Sequence, residues 1–230
     1  ALFDDVLPFP GWIKRLAVGP IAKRRAGVVH DAYAAIGWSP LVPETREQLQ
    51  ALRALLGDEP PPMALGMCYS PPSIRDGIQE LLDAGVDGII ALSLYPHYSF
   101  ATSGTAFERV HAALAELGRD VPVHYTPPFH DHPGYIRALA DTIREGLEQL
   151  PGEGPVHLLF SPHGLPMSFV ERGDPYPEHV RASVRAVVEL LAWQGPMHIA
   201  WQSKVGRGRW LSPSTEDAIK ALGAAGTPRV

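Results

Sequence analysis

Five short apolar runs, each separated from the next by an amphipathic stretch, constrain this 230-residue chain more than any other feature. They cover residues 63–69, 88–95, 121–125, 156–161 and 197–201. Runs this short and this continuously apolar suit strands covered on both faces, as in a parallel sheet. The stretches between them carry the period of helices. Residues 44–56 put Leu49, Leu52, Leu55 and Leu56 on one stripe. Residues 73–84 do the same with Ile74, Ile78, Leu81 and Leu82, ahead of Gly85 as the glycine that ends the helix. Residues 101–117 and 135–150 read likewise. Residues 178–193 follow Pro177 as a first-turn proline and stop before Gly195, and Ser214 or Thr215 caps a last helix ending near Gly223. Strand alternating with helix predicts an α/β protein with helices on both faces of its sheets.

The run at 156–161 is expected to open a second sheet. A boundary in the connector Pro127-Pro128-Phe129-His130-Asp131-His132-Pro133 divides the chain into halves 1–128 and 129–230, with an interdomain cleft as the natural ligand site. Residues 1–43 hold helix and loop but no clear strand, and the sequence stops at Val230 where a strand is due, so the chain reads as an internal piece of a longer one. Composition narrows the function classes. The net charge of −5 gives no general attraction to nucleic acid or anionic lipid. One cysteine, Cys68, excludes a disulfide or an all-cysteine zinc site within the chain and fits a reducing cytoplasm. No apolar run approaches the roughly 20 residues of a membrane-spanning helix, and the first residues lack the features of a signal peptide. Patterns of the GxGxxG, GxxxxGK[ST] and HExxH types are absent.

The residues that could carry chemistry cluster at strand ends. In Ser161-Pro162-His163-Gly164-Leu165-Pro166 an apolar run delivers a histidine into a turn shaped by proline and glycine. Ligands of open parallel sheets sit beyond the carboxyl ends of strands, where an imidazole can bind metal or carry a proton near neutral pH. The alternative is a turn histidine packed on the next helix. Ser161 invites a hydrolase reading, but Leu159 and His163 stand where a nucleophile elbow needs glycines. His97 follows the 88–95 run in the same way, and could face His163 from the opposite wall of a cleft. Its alternative is a loop in which Ser99 or Thr102 caps the following helix. His130-Asp131-His132 is a local cluster whose spacing reads more readily as a solvated turn than as a metal site. His124 sits within a strand, buried or at an edge. Lys14-Arg15, Lys23-Arg24-Arg25 and Lys204 with Arg207-Gly208-Arg209 are basic clusters that could meet an anionic group, with solvated surface as the simpler reading.

The histidine turn, together with Gly173-Asp174-Pro175-Tyr176-Pro177, resembles the ferrochelatase family, whose usual runs are Ser-Ala-His-Gly/Ser-Leu-Pro and Gly-Asp-Pro-Tyr-Pro. Trp201-Gln202-Ser203-Lys204-Val205-Gly206 with Trp210-Leu211 and Pro213 is similar to a further family segment. Ile36-Gly37-Trp38-Ser39-Pro40-Leu41 and Tyr95-Pro96-His97-Tyr98-Ser99 are similar to two others, in the same order. The resemblance implies two similar Rossmann-like three-layer halves with parallel sheets and a porphyrin clamped in the cleft between them. It implies insertion of Fe²⁺ into protoporphyrin IX or coproporphyrin III during haem biosynthesis. His163 matches the family's metal-binding and catalytic histidine. Tyr33, Ser39, His97, Tyr98, Ser99, His130, Ser161 and Pro162 fall at or near positions that line the porphyrin.

Three departures accompany the likeness. The 36–41 loop has one glycine, Gly37, where relatives have two, and Cys68 stands where many carry a basic residue. The family's second metal-site residue, a glutamate, is expected just beyond Val230, so this stretch alone is expected to be inactive. No permanently bound cofactor is implied, Fe²⁺ being a substrate. The expected partners are porphyrin and Fe²⁺, without nucleic acid and with peripheral membrane contact left open, in the cytoplasm. A chelatase for another metal or tetrapyrrole, or a non-catalytic tetrapyrrole-binding fragment, is the alternative.

Overall fold

A computed structural model describes residues 26–27, 29–31, 33–206, 208–227 and 229–230. The basic clusters at 14–15 and 23–25 and Arg207 lie outside them. The described residues form two compact units: those up to Leu92 together with Gly104–Thr126, and Ser93–Ser103 together with Pro127–Val230.

In the first unit, α1 (Leu41–Leu55) and α2 (Ile74–Asp83) precede β1 (Ile89–Ala91), and α3 (Thr105–Glu116) leads to β2 (Val123–Tyr125). β1 and β2 pair in parallel, Ile89 opposite Val123 and Ala91 opposite Tyr125. A parallel pair needs a crossover, and α3 supplies it. Helix α2 starts where the sequence puts a strong signal. Ser73 Oγ accepts from the Asp76 N–H at 3.1 Å, and the Asp76 carboxylate accepts from the Ser73 N–H at 2.9 Å, a reciprocal capping box. Gly85 ends the stretch with φ +81, a left-handed turn that glycine takes without steric cost. Ile78 and Leu82 of α2, Val110, Ala113 and Leu114 of α3, and Ile89 of β1 make the core.

The expected strand at 63–69 does not form as one. Among the described residues its only ladder contact is a single bridge from Met67 to Ser73. Apolar character alone does not make a strand; a neighbour must pair with it. Here the run lies instead against α2: a Cβ on Gly66 would come 2.8 Å from Ile74 Cα, and one on Gly77 would come 2.8 Å from the Leu65 carbonyl oxygen. Two glycines therefore permit a backbone-to-helix approach that side chains would block.

In the second unit, α4 (Pro133–Gln149) precedes β3 (Leu158–Phe160), followed by the short α5 (Met167–Glu171), α6 (Tyr176–Leu190), β4 (Met197–Ile199) and α7 (Thr215–Ala224). β3 and β4 pair in parallel, Leu158 opposite Met197 and Phe160 opposite Ile199. Ile136 and Ala140 of α4 meet Val187 of α6, with Phe160 packed beside them. Val180 and Val184, one turn apart on α6, pack with Trp201, Ile199 and Leu211. His132 caps α4, its Nδ1 accepting from the Gly134 N–H at 3.1 Å, and Ser214 caps α7 by accepting from the Asp217 N–H at 3.1 Å. The α/β expectation with parallel strands holds. The strands are shorter than their apolar runs, and the five-residue α5 was not expected.

Segment 93–103 packs with the second unit although it follows β1 in the chain. It ends in a π-helical turn, Phe100–Gly104, before α3. His97 thus belongs to the same unit as His163. The expectation that the two histidines sit on opposite walls is corrected by this packing.

Candidate functional site

The histidine turn is fixed by backbone bonds, which leave the imidazole out of the bonding. As β3 ends, the Gln202 N–H donates to the Pro162 carbonyl at 2.9 Å, and the Gly164 N–H donates to the Gln202 carbonyl at 2.8 Å. The Gln202 side-chain amide adds a third bond, to the Ser161 carbonyl at 3.0 Å. A Cβ on Gly164 would stand 2.9 Å from the Gln202 carbonyl oxygen, so the tight crossing of these two segments requires glycine. His163 is held at that crossing with its side chain exposed. Partial desolvation keeps its pKa below the ordinary imidazole value, so the ring is predominantly neutral at pH 7 and carries a free lone pair.

Ser161 Oγ and Thr215 Oγ1 lie 2.7 Å apart. The serine is spent on the first residue of α7 and faces no imidazole, which removes the hydrolase reading. Behind the turn, the backbone of His163 hydrogen-bonds the Tyr176 phenol, whose pKa is pushed up to about 12, chiefly by burial.

Asp174, buried at 4% exposure, organises the neighbouring loop. One carboxylate oxygen accepts from Ser99 Oγ and from the Phe100 N–H, both at 2.8 Å; the other accepts from the Tyr176 N–H at 3.0 Å. Gly-Asp-Pro-Tyr-Pro is therefore a clamp that ties the start of α6 to residues 99–100. Ser99 also accepts from the Ala101 N–H at 3.2 Å, the helix-opening role foreseen as the alternative to pocket lining. At 1% exposure its hydroxyl is out of reach of a substrate in this conformation, so Ser99 supports the loop from behind.

His97 is half-buried in a second cluster. Its Nε2 lies 2.9 Å from Ser183 Oγ, and that hydroxyl donates to the His130 carbonyl at 2.6 Å. With the serine proton committed there, His97 Nε2–H is the donor and Nδ1 keeps the lone pair. His130 stacks on His179 with ring centroids 3.8 Å apart and planes 6° from parallel. His179 Nδ1 accepts from the Tyr98 N–H at 3.2 Å. Burial first, then the neighbouring His130 and His179, push the His97 pKa down to about 4.

His130 thus joins this cluster, whereas His132 is used as a cap, so the His-Asp-His segment does not converge. Among the described residues, no group of three or more His, Cys, Asp or Glu side chains is arranged so that it could hold a metal ion. Pro162 takes part through its carbonyl. His124 is exposed on β2. Tyr33 and Ser39 belong to the first unit, where Tyr33 is 43% exposed and Ser39 Oγ accepts from the Leu41 N–H at 3.3 Å at the start of α1.

Sequence reasoning missed His179 and Ser183. The signal was present: Tyr176, His179, Val180 and Ser183 recur at helical spacing on one face of α6 behind the first-turn proline.

The family model described as Ferrochelatase matches residues 2–230. The chain belongs to the ferrochelatase family. Over 218 residues it is 38% identical to the ferrochelatase of Citrifermentans bemidjiense, covering 94% of this chain and 68% of that one. It is 41% identical over 207 residues to the ferrochelatase of Geotalea daltonii, with 90% and 64% covered. It is 38% identical over 223 residues to that of Aquifex aeolicus, with 96% and 71% covered. The chain thus spans about two thirds of the length of these ferrochelatases. Membership of this family accounts for the ordered motifs at 36–41, 95–99, 161–166, 173–177 and 201–213 together, which a chance match at the histidine turn alone would not.

Proposed function

We propose that the protein acts as a ferrochelatase, inserting Fe²⁺ into a porphyrin in haem biosynthesis, with His163 as metal ligand and proton acceptor. The observation that carries this reading is an exposed imidazole, at the position of the family's histidine turn, on a backbone fixed by Gln202 with a next residue that must be glycine. Insertion removes two pyrrole protons and strips water from the ion. The one nitrogen lone pair of a neutral imidazole holds the ion or accepts a pyrrole proton, one at a time, and the protons pass on to solvent. Because three backbone and side-chain bonds hold the turn, the ring is positioned before substrate arrives. Tyr176 supports the turn from behind. Pro162, His97, Tyr98 and His130, and in the other unit Tyr33 and Ser39, are assigned to the porphyrin surroundings. Ser99 and Ser161 contribute through the backbone they hold.

In this reading Fe²⁺ is a substrate and no cofactor is permanently bound. The described residues contain no helix long and apolar enough to cross a membrane, and the net charge of −5 gives no general attraction to nucleic acid; the assigned location is the cytoplasm.

The test is a metal-insertion assay on the protein, wild type against His163→Ala. Loss of at least about 100-fold in kcat is expected, as for removal of an acid–base group, with thermal unfolding unchanged. Turnover that survives the substitution would sink the assignment of His163. Insertion of another divalent ion in preference to Fe²⁺ would favour the alternative chelatase reading.

A further inference from the structure

The cluster of His97, His130 and His179 holds more imidazole than the histidine turn requires, and its bonds have a direction. Contacts along its length fix the loop that precedes the π-helical turn, among them the His97–Ser183 bond. The Phe129 N–H donates to the Pro96 carbonyl at 3.1 Å. Asp174 fixes Ser99 and Phe100 at the other end. Between them the Tyr98 N–H donates to His179 Nδ1. An imidazole nitrogen can accept only while it is unprotonated, so in the neutral ring the proton must sit on Nε2. Adding a second proton converts Nδ1 from acceptor to donor and sets two N–H groups head to head.

We propose that His179 is a positioning residue, an acid-labile latch whose unprotonated Nδ1 holds Tyr98 and with it the centre of the loop that carries His97. The groups around it set its threshold. Burial disfavours a positive charge on His179, and so does the His130 ring stacked on its face from the segment before α4; both lower the His179 pKa. Asp131 beside His130 and Asp174 at the start of α6 act in the opposite sense. His97 reaches the same cluster through Ser183, whose hydroxyl also lies 3.2 Å from the His179 carbonyl. The latch therefore stays closed through neutral pH and opens on acidification. It opens locally, because the bonds to Asp174 and Pro96 on either side use no imidazole.

The consequence for substrate rests on the porphyrin-binding reading of His97 and Tyr98, but the latch itself does not. It can be tested without turnover. Amide hydrogen exchange of the 230-residue chain would be followed residue by residue by NMR from about pH 7.5 down to about pH 4, with each rate divided by its intrinsic value. In the wild type, protection of the Tyr98 amide is expected to fall progressively below the ordinary imidazole range, while the Phe100 amide on Asp174 keeps its protection. His179→Gln supplies a carbonyl oxygen that can accept from Tyr98 and does not titrate, so its Tyr98 protection should stay level. A flat wild-type profile would overturn the latch. So would a His179→Gln profile that falls in step with the wild type, since the acid response would then belong to other groups. Because activity is not the readout, failure here leaves the chelatase reading standing, and failure of that reading leaves the latch to be judged on exchange alone.

Discussion

His163 and His97 arrive by the same sequence device and are used in opposite ways. Each follows a short parallel strand, and each sits beside a proline in a tight loop. At His163 the backbone is bonded and the ring is exposed. At His97 the ring itself is bonded to Ser183 and enclosed by His130, Tyr135 and Tyr176, with centroids about 6 Å away. An imidazole held by its backbone remains available to a ligand. One held by its nitrogen has already committed that nitrogen to the fold. Position at a strand end is thus a weak guide to function until the hydrogen bonds of the loop are known.

Asp174 joins the two regions, because it fixes both the His97 loop and the start of the helix that carries Tyr176 behind His163. Asp174→Ala would leave the Ser99 hydroxyl, the Phe100 N–H and the Tyr176 N–H without their acceptor in a buried site. Breaking such a set costs about 3–5 kcal/mol, read as a fall in the denaturant midpoint at unchanged slope. It should also raise exchange at both regions together. Loss of protection confined to residues 97–100, with the His163 turn untouched, would show that the two are not coupled through this residue.

The acid response should separate the two histidines more finely. His97 is held near 4 in the fold against an ordinary value of about 6.5. The folded protein therefore binds fewer protons than the unfolded chain between those values. The stability His97 contributes is fully present above pH about 6.5 and is lost as pH falls through that window towards about 4. The slope should stay below about 1.4 kcal/mol per pH unit, since the ring keeps some exposure. His97→Gln, which can still donate to Ser183, should flatten that part of the curve in urea titrations run from pH 7 to pH 4. His163 is shifted in the same direction by desolvation alone, and His163→Gln should flatten it less. Equal flattening by both variants would erase the distinction.

The α/β class, six of the helices and four of the five strand positions were legible because periodicity and capping residues act locally. The box Ser73-Ile74-Arg75-Asp76 and the pair Ser214 with Asp217 announce their helices from four residues each. What failed depended on partners distant in sequence. The 63–69 run had the composition of a strand but packs by glycine contact on α2, and nothing in its own residues distinguishes the two outcomes. His97 was placed with the strand it follows because the chain is read in order. Its bonds reach residues 130, 179 and 183. Within the candidate site, His163 was legible because a strand end, a proline and a glycine lie side by side. Asp174 was visible only as one letter of a motif, its role appearing when three donors converge on it.

Ser161 gives the smallest and sharpest test of whether the histidine turn is held by backbone rather than by side chains. Its hydroxyl touches Thr215 Oγ1 at 2.7 Å, a half-buried pairing at the start of α7, while its carbonyl receives the Gln202 amide. Ser161→Ala removes the first contact and leaves the second intact. The loss should be about 0.5–1.5 kcal/mol, that of one hydrogen bond, with metal insertion by the complete protein unchanged within about twofold. A large fall in kcat at near-normal stability would mean that the hydroxyl, and not only the backbone behind it, acts on the substrate. The contrast between a ring left free by its backbone and side chains spent on structure would then fail just past the end of β3, two residues before His163.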